Sequence, residues 1–277
     1  MNWYRLPEGR PCAIQFSGGR TSGYMLHEIL KAHDGILPPD CHVLFQNTGR
    51  EMPETLDFVK DCGERFGVKI IWLEYFDEKP FFTVVGHNSA SRNGEPFEAL
   101  IRRRKYVPNV VTRYCSDVLK YRAAKRYLLS LGYKKWTSVI GFRADEMTRV
   151  VKMREKKLSR EVPFMPLADA GITKREIKAF WDASPFDLRL QNIKGKTPLG
   201  NCDGCFLKSE KNLATLCKTH PERAAWWIKM EQKTGASFVK GRYWKSLADF
   251  VERQGELDYD IDETGFCDTP IGGCHEF

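Results

Sequence analysis

Two hydrophobic periods alternate along the first half of the chain. Short apolar runs at residues 12–16, 41–45, 68–73 and 136–140 read as strands. Between them the apolar residues recur at helical spacing. Over residues 21–33, Tyr24, Leu26, Ile29 and Leu30 point one way, which predicts a helix packed on the strands. Pro53 sits at the first turn of a second helix running to about Phe66, with Glu51 and Glu54 favourable near its positive end. Ser116 or Asp117 is placed to cap a helix through Leu131 that Gly132 ends, and Thr173 with Glu176 forms a capping box for a helix over 174–183. Strands alternating with helices of this length predict βαβ units, hence an α/β fold with a parallel sheet flanked by helices. Residues 76–111 show no clear period and predict a long loop or insertion over the sheet's ligand edge. From about Gln191 the pattern changes to glycine, cysteine and short helices, with Trp226 and Trp227 expected in a core. The expected organisation is one α/β domain over residues 1–190 and a smaller cysteine-containing region over 191–277.

A chain of 277 residues with 42% hydrophobic positions can bury a sizeable core. It carries no apolar stretch of membrane-spanning length and no signal-like apolar run at its start, so a cytoplasmic location without a membrane partner is expected. The net charge of +8 points to an anionic partner, a nucleotide or a nucleic acid. Two basic clusters stand out, Arg102-Arg103-Arg104-Lys105 and residues 152–160. Nine cysteines in such a chain argue for metal or redox chemistry at some of them rather than a disulfide framework. Cys12, Cys41 and Cys62 lie in apolar or helical contexts and read as packing residues.

The chemistry begins where the first strand ends. Ser17-Gly18-Gly19-Arg20-Thr21-Ser22 turns a strand into a helix on two glycines, which makes a nest of backbone N–H groups. With hydroxyls from Ser17, Thr21 and Ser22, such a turn suits a phosphate chain. After the second strand, Asn47 and Thr48 are able to hydrogen-bond a nucleoside, and Gly49 allows close backbone approach. After the fourth predicted strand comes Gly141-Phe142-Arg143-Ala144-Asp145-Glu146-Met147-Thr148-Arg149. Arg143 and Arg149 are suited to clamp phosphate or sulfate through forked hydrogen bonds, with Glu146 holding one of them in place. In a parallel sheet all three segments lie beyond the carboxyl ends of strands, where ligands bind.

In this order the three motifs resemble the phosphoadenosine phosphosulfate reductase family within the PP-loop ATP pyrophosphatases. Thr112-Arg113-Tyr114-Cys115 with Lys120 is similar to the family's arginine–cysteine–lysine segment. Pro166-Leu167, Ile172-Thr173 and Phe180-Trp181 are similar to its later segment, so the likeness covers about residues 11–206. The resemblance implies a Rossmann-like parallel sheet of the PP-loop/HUP type. It implies an adenine nucleotide, ATP or an adenosine phosphosulfate, held by Ser17, Gly18, Gly19, Arg20, Thr21 and Ser22, with Mg²⁺ assisting. Asn47, Thr48, Gly49, Gly141, Arg143, Glu146 and Arg149 complete that site, and Ser17, Lys120 and Arg143 are the expected catalytic residues. Arg20-Thr21 departs from the lysine and aspartate of many relatives. Arg20 keeps the charge, whereas Thr21 lacks a carboxylate for a metal.

Cys202-Asp203-Gly204-Cys205 is a Cys-x-x-Cys spacing that lets two thiolates face one ion. In cluster-bearing relatives a tandem cysteine pair upstream joins such a motif to hold a [4Fe–4S] cluster. Here the upstream position reads Cys115-Ser116, so one ligand is missing. Cys115, Cys202 and Cys205 are expected ligands, with Cys267 as the fourth and Cys274 or Cys217 as alternatives. Zinc on the same residues remains the other metal, since such ligands suit both.

The resemblance implies an ATP-cleaving enzyme that adenylates a substrate. A nucleic acid activated for sulfur incorporation fits the charge, and a sulfur-donor protein is a further partner. A second reading is a sulfonucleotide reductase releasing sulfite, with Cys274 or Cys267 as nucleophile. A third is a non-catalytic nucleic-acid-binding protein with structural zinc.

Overall fold

The computed structural model describes residues 2–193 and 196–254. Its centre is a six-stranded sheet. The strands are β1 (Cys12–Gln15), β2 (Cys41–Asn47), β3 (Ile70–Glu74), β4 (Thr83–Val85), β5 (Trp136–Val139) and β6 (Glu161–Phe164). Their spatial order is β4-β3-β2-β1-β5-β6, and all neighbours are parallel except the β3–β4 pair. The helices are α1 (Arg20–Ala32), α2 (Pro53–Arg65), α3 (Glu95–Arg104), α4 (Ala123–Ser130), α5 (Met147–Glu155), α6 (Pro166–Asp169), α7 (Lys174–Ala183), α8 (Glu210–Thr219), α9 (Pro221–Thr234) and α10 (Trp244–Gln254). The α/β fold with a mainly parallel, helix-flanked sheet is therefore as expected.

Successive strand side chains point to opposite faces, and the two faces acquire different partners. Ile14, Val43 and Phe45 pack with Met25, Leu26 and Ile29 of α1, Phe58 and Val59 of α2, and Trp181 of α7. Ala13, Leu44 and Leu73 meet Ala124 and Leu128 of α4 on the other face. Both faces are covered, which is why the inner strands read as near-continuous apolar runs.

The segment 76–111 is not a structureless loop. It supplies the antiparallel edge strand β4 and the helix α3. Phe97, Leu100 and Ile101 of α3 join Leu213, Leu216, Trp226, Trp227 and Trp244 of α8–α10 in a second core. That core draws on residues from both sides of position 190. The helix expected from Ser116 or Asp117 starts instead as a π-helical turn, Ser116–Arg122, which receives no side-chain cap. Asp117 pairs with Arg122 at 2.6 Å. The segment 152–160 comprises the last residues of α5 and its link to β6, two unanticipated elements. No helix of the described residues is long and apolar enough to cross a membrane.

Candidate functional site

The chain leaves β1 toward β2 and β3 on one side and returns to β5 and β6 on the other. The connections after β1 and β5 therefore diverge, and a crevice opens beyond the carboxyl ends of those two strands. A cavity of about 720 Å³ lies there. Ser17 to Ser22 line one wall; Gly141, Arg143, Glu146 and Arg149 line another. Lys174 and Lys178 of α7, with Lys196 and Lys208 from the later segment, complete the basic lining. Two of the three predicted loops thus meet in one cleft.

Gly18 adopts φ +75°, and a Cβ there would lie 2.8 Å from Thr55 Cγ2 of α2. Glycine is required on both counts. Ser22 organises the turn: its Oγ accepts from the N–H of Ser17 at 3.2 Å and of Gly19 at 3.3 Å, and donates to the Gly19 carbonyl at 2.9 Å. Ser17 Oγ lies 3.1 Å from Ser22 Oγ. Ser22 is buried, so it shapes the nest from behind.

Arg20 belongs to the cleft lining, and its guanidinium is buried and engaged by the protein, donating to Asp187 at 2.7 and 2.5 Å, the Leu190 carbonyl at 2.8 Å and Thr197 Oγ1 at 2.9 Å. The Arg20 carbonyl accepts from Trp181 Nε1 at 2.8 Å. The side chain thereby ties the start of α1 to Asp187, Leu190 and Thr197.

Across the cleft, Glu146 holds both arginines. One oxygen pairs with Arg149; the other accepts from the Arg143 N–H at 3.0 Å and lies 3.4 Å from Arg143 Nη1. Arg143 Nε donates to Asp145 at 2.8 Å and Nη1 donates to Thr21 Oγ1 at 3.3 Å. The Arg149 guanidinium stacks 4.1 Å above the Phe142 ring, and its buried Nε has no hydrogen-bond partner among the described residues. These cations are pre-aimed by fixed carboxylates, a geometry suited to an oxyanion.

Asn47, Thr48 and Gly49 do not join the cleft lining. Asn47 is buried, with Nδ2 donating to Glu74 at 2.6 Å and to the Ser91 carbonyl at 2.8 Å, and Oδ1 accepting from the Gly49 N–H at 3.1 Å. Thr48 Oγ1 bonds Glu51 at 2.8 Å and approaches Cys202 Sγ at 3.3 Å. Polar groups so committed hold a loop and leave little capacity for a nucleoside. That loop pairs with the Cys-x-x-Cys turn through an antiparallel bridge between Glu51 and Cys202.

Asp203, inside the Cys-x-x-Cys, is the keystone that the sequence did not reveal. It is buried and accepts from Arg50 Nη2 at 2.6 Å, from Arg223 Nε, from Trp227 Nε1 at 2.9 Å and from the Gly204 N–H at 2.7 Å. Arg50 also lies 4.8 Å from the Trp226 ring centroid. A Cβ on Gly204 would fall 2.3 Å from Trp227 Nε1. The middle residues Asp-Gly are thus fixed by packing and charge. Their effect is to hold Cys205 in the wall of the cleft.

Of the predicted metal ligands, Cys115, Cys202 and Cys205 lie among the described residues. Among the described residues, no three Cys, His, Asp or Glu side chains form a group able to hold a metal ion. Cys202 is engaged with Thr48 and lies 4.0 Å from Glu51, and burial together with that carboxylate pushes its thiol pKa up. Lys120 faces Glu51 at 3.9 Å, away from the cleft lining. Cys217 packs in the second core, where burial pushes its thiol up to about 11. Cys267 and Cys274 lie outside the described residues. The described residues therefore do not fit a [4Fe–4S] or zinc site by themselves. The cleft acids Asp145 and Glu146 are both paired with arginine, so they do not present a ready Mg²⁺ site either. Burial pushes Cys12, Cys41 and Cys62 up as well, in keeping with packing roles.

The phosphoadenosine phosphosulfate reductase domain family matches residues 11–185. An uncharacterised nin-region protein of Escherichia phage lambda is 30% identical over 218 residues, covering 74% of this chain and 69% of that protein. An uncharacterised protein of Methanocaldococcus jannaschii is 24% identical over 249 residues, or 85% of this chain and 46% of that protein. Similar solved structures include a phosphoadenylyl-sulfate reductase from Candida auris in a phosphate complex. It is 16% identical, covers 67% of this chain and 81% of its own, and has a TM-score of 0.40. The U34-tRNA thiolase NcsA from Methanococcus maripaludis, with its [4Fe–4S] cluster, is 15% identical with coverages of 95% and 79% and a TM-score of 0.40.

Proposed function

The chain belongs to the phosphoadenosine phosphosulfate reductase domain family, and from that membership we propose that it cleaves ATP to adenylate an acceptor for sulfur incorporation. The observation that carries this reading is the single cleft lined by the 17–22 turn, Arg143, Arg149, Lys174, Lys178, Lys196 and Lys208. Such a density of cations at an N–H nest matches a triphosphate. In the proposed step an acceptor oxygen attacks the α-phosphorus, the bond from that phosphorus to the bridging oxygen breaks, and pyrophosphate leaves with the electron pair. The nest N–H groups and the two arginines stabilise the charge that develops on the leaving group. A hydrosulfide then attacks the adenylated carbon: the new C–S bond forms as the C–O bond to the phosphate breaks, AMP leaves with the electron pair, and the S–H proton is lost to solvent. Nucleic acid is the proposed acceptor class, in line with the basic charge of the chain.

A second reading is favoured by one specific contact. Cys205 is the cysteine among the described cleft-lining residues, which suits sulfur chemistry on the nucleotide itself. There a thiolate would attack the sulfur of a sulfonucleotide, displacing the nucleotide, and a second thiol would release sulfite and leave a disulfide. Parallel assays decide between the two. Pyrophosphate and AMP from ATP with a nucleic-acid acceptor support adenylation; sulfite from adenosine phosphosulfate with a thiol donor, and no pyrophosphate from ATP, overturns it.

A further inference from the structure

β5 and β6 are adjacent and parallel, so the chain between them must return from the carboxyl edge of the sheet to its amino edge. α5 makes that return. Its first residues, Met147, Thr148 and Arg149, line the nucleotide cleft. The residues after it, from Leu158 to Val162, line a second cavity of about 510 Å³ at the opposite edge. One nine-residue helix, about 14 Å long, thus connects the two.

The connection is strongly basic. Residues 147–160 hold Arg149, Lys152, Arg154, Lys156, Lys157 and Arg160 against one acid, Glu155. Arg154 is tied to Asp169 at 2.5 Å. Arg10, Lys134 and Lys135, all exposed, continue the charge around the second cavity. Its lining acid, Glu161, bonds to Tyr121 and Ser138, and burial raises its pKa. Exposed apolar side chains interleave with the cations: Met147 is 54% exposed, Val151 43% and Val162 44%. The other basic cluster differs, because Arg103 is bound to Asp77 at 3.1 Å and lies over Phe81, while Arg104 lies over Tyr114.

We propose that a single-stranded nucleic acid lies along α5, its phosphates on Lys152, Lys157, Arg160, Lys134 and Lys135, with one end entering the nucleotide cleft. The charge matches a phosphate backbone, and the apolar side chains match unstacked bases, which a duplex would not offer. The inference rests on the reading of nucleic acid as acceptor and identifies the surface that would receive it.

The test is fluorescence anisotropy of the full chain with a short fluorescein-labelled single strand, titrated over salt. Lys134→Gln/Lys135→Gln/Lys157→Gln is expected to weaken binding at least about tenfold at low salt. Its log–log salt slope should shrink by about 2, since each lost phosphate contact removes about 0.7. Arg102→Gln/Arg104→Gln should bind as the parent does. Unchanged affinity and slope in the triple variant overturns the proposal, as does absence of binding by the parent, tighter binding of a duplex, or equal competition by polyglutamate of matched charge. Pyrophosphate release from ATP is measured separately, so its loss with intact strand binding counts against adenylation and leaves the surface standing.

Discussion

Arg143 Nη1 donates a hydrogen bond to Thr21 Oγ1 across 3.3 Å, joining the loop after β5 to the loop after β1. The bond spans the point where the strand order reverses, and it exists because Glu146 and Asp145 fix the rest of the Arg143 fork. Thr21 therefore contributes as an acceptor that orients a cation.

Arg143→Gln should weaken ATP binding by about 10- to 100-fold, the effect of losing about 1.5–3 kcal/mol of charge-assisted hydrogen bonding. Thr21→Val keeps the shape and removes the acceptor, so its loss should be under about tenfold. Calorimetric titration of both variants and of the double variant checks this. If the pair acts as one unit, the double variant loses less than the sum of the two.

Gly18→Ala places a methyl group against Thr55 Cγ2 at a backbone φ of +75°. The expected outcome is a destabilisation of about 1–3 kcal/mol from backbone strain, more if α2 cannot shift, together with lost nucleotide binding. Ser17→Ala removes only the Oγ facing Ser22 Oγ at 3.1 Å. It should melt near the parent temperature while binding ATP more weakly. Thermal denaturation beside binding separates the two effects.

The parts of this architecture written in local periodicity were legible in the sequence. The strand–turn–helix at Ser17, the loop led by Gly141 and the Thr173–Glu176 box each depend on neighbours in the chain, and each appears where expected. β4 is a three-residue edge strand, too short to show alternation. α3 did carry a helical pattern in Phe97, Leu100 and Ile101, but Gly94 and Pro96 at its start read as loop residues. The site misread most was the one decided by distant partners. Nothing beside Arg20 in the sequence announces Asp187, and nothing beside Asn47 announces Glu74 and Ser91. Lys174 and Lys178 were predicted on a helix, yet only the sheet order aims that helix at the cleft.

Asp203→Ala should be the most destabilising single change at the Cys-x-x-Cys turn. It strands the buried Arg50 and the mostly buried Arg223 without their carboxylate. Removing one partner of such a buried pair costs about 3–5 kcal/mol. Denaturant unfolding measures that loss. In the fraction that stays folded, thiol labelling should report faster modification of Cys205, because Asp203 anchors the turn that holds it.

Glu176 makes stability depend on pH in a defined direction. Hydrogen bonds from the Thr173 hydroxyl, then the Thr173 N–H, then Arg175, hold its carboxyl down to about 2. The unfolded value is about 4.3. A group depressed in the folded state contributes its stability above the unfolded value, and that contribution fades as pH falls toward the folded one. Glu176→Gln retains the shape of the capping box and removes the titration. The melting temperature of the variant should thus lie below the parent's at pH 7, and the gap should narrow as pH falls below about 4.3. A gap that stays constant from pH 7 to about 3 would mean that the carboxylate charge contributes nothing to the cap. The same substitution tests the link to the cleft. The box secures the first turn of α7, which carries Lys174 and Lys178 into the cavity. Loss of the carboxylate charge weakens that cap, so ATP binding should fall at neutral pH, a loss readable by titration against the parent protein.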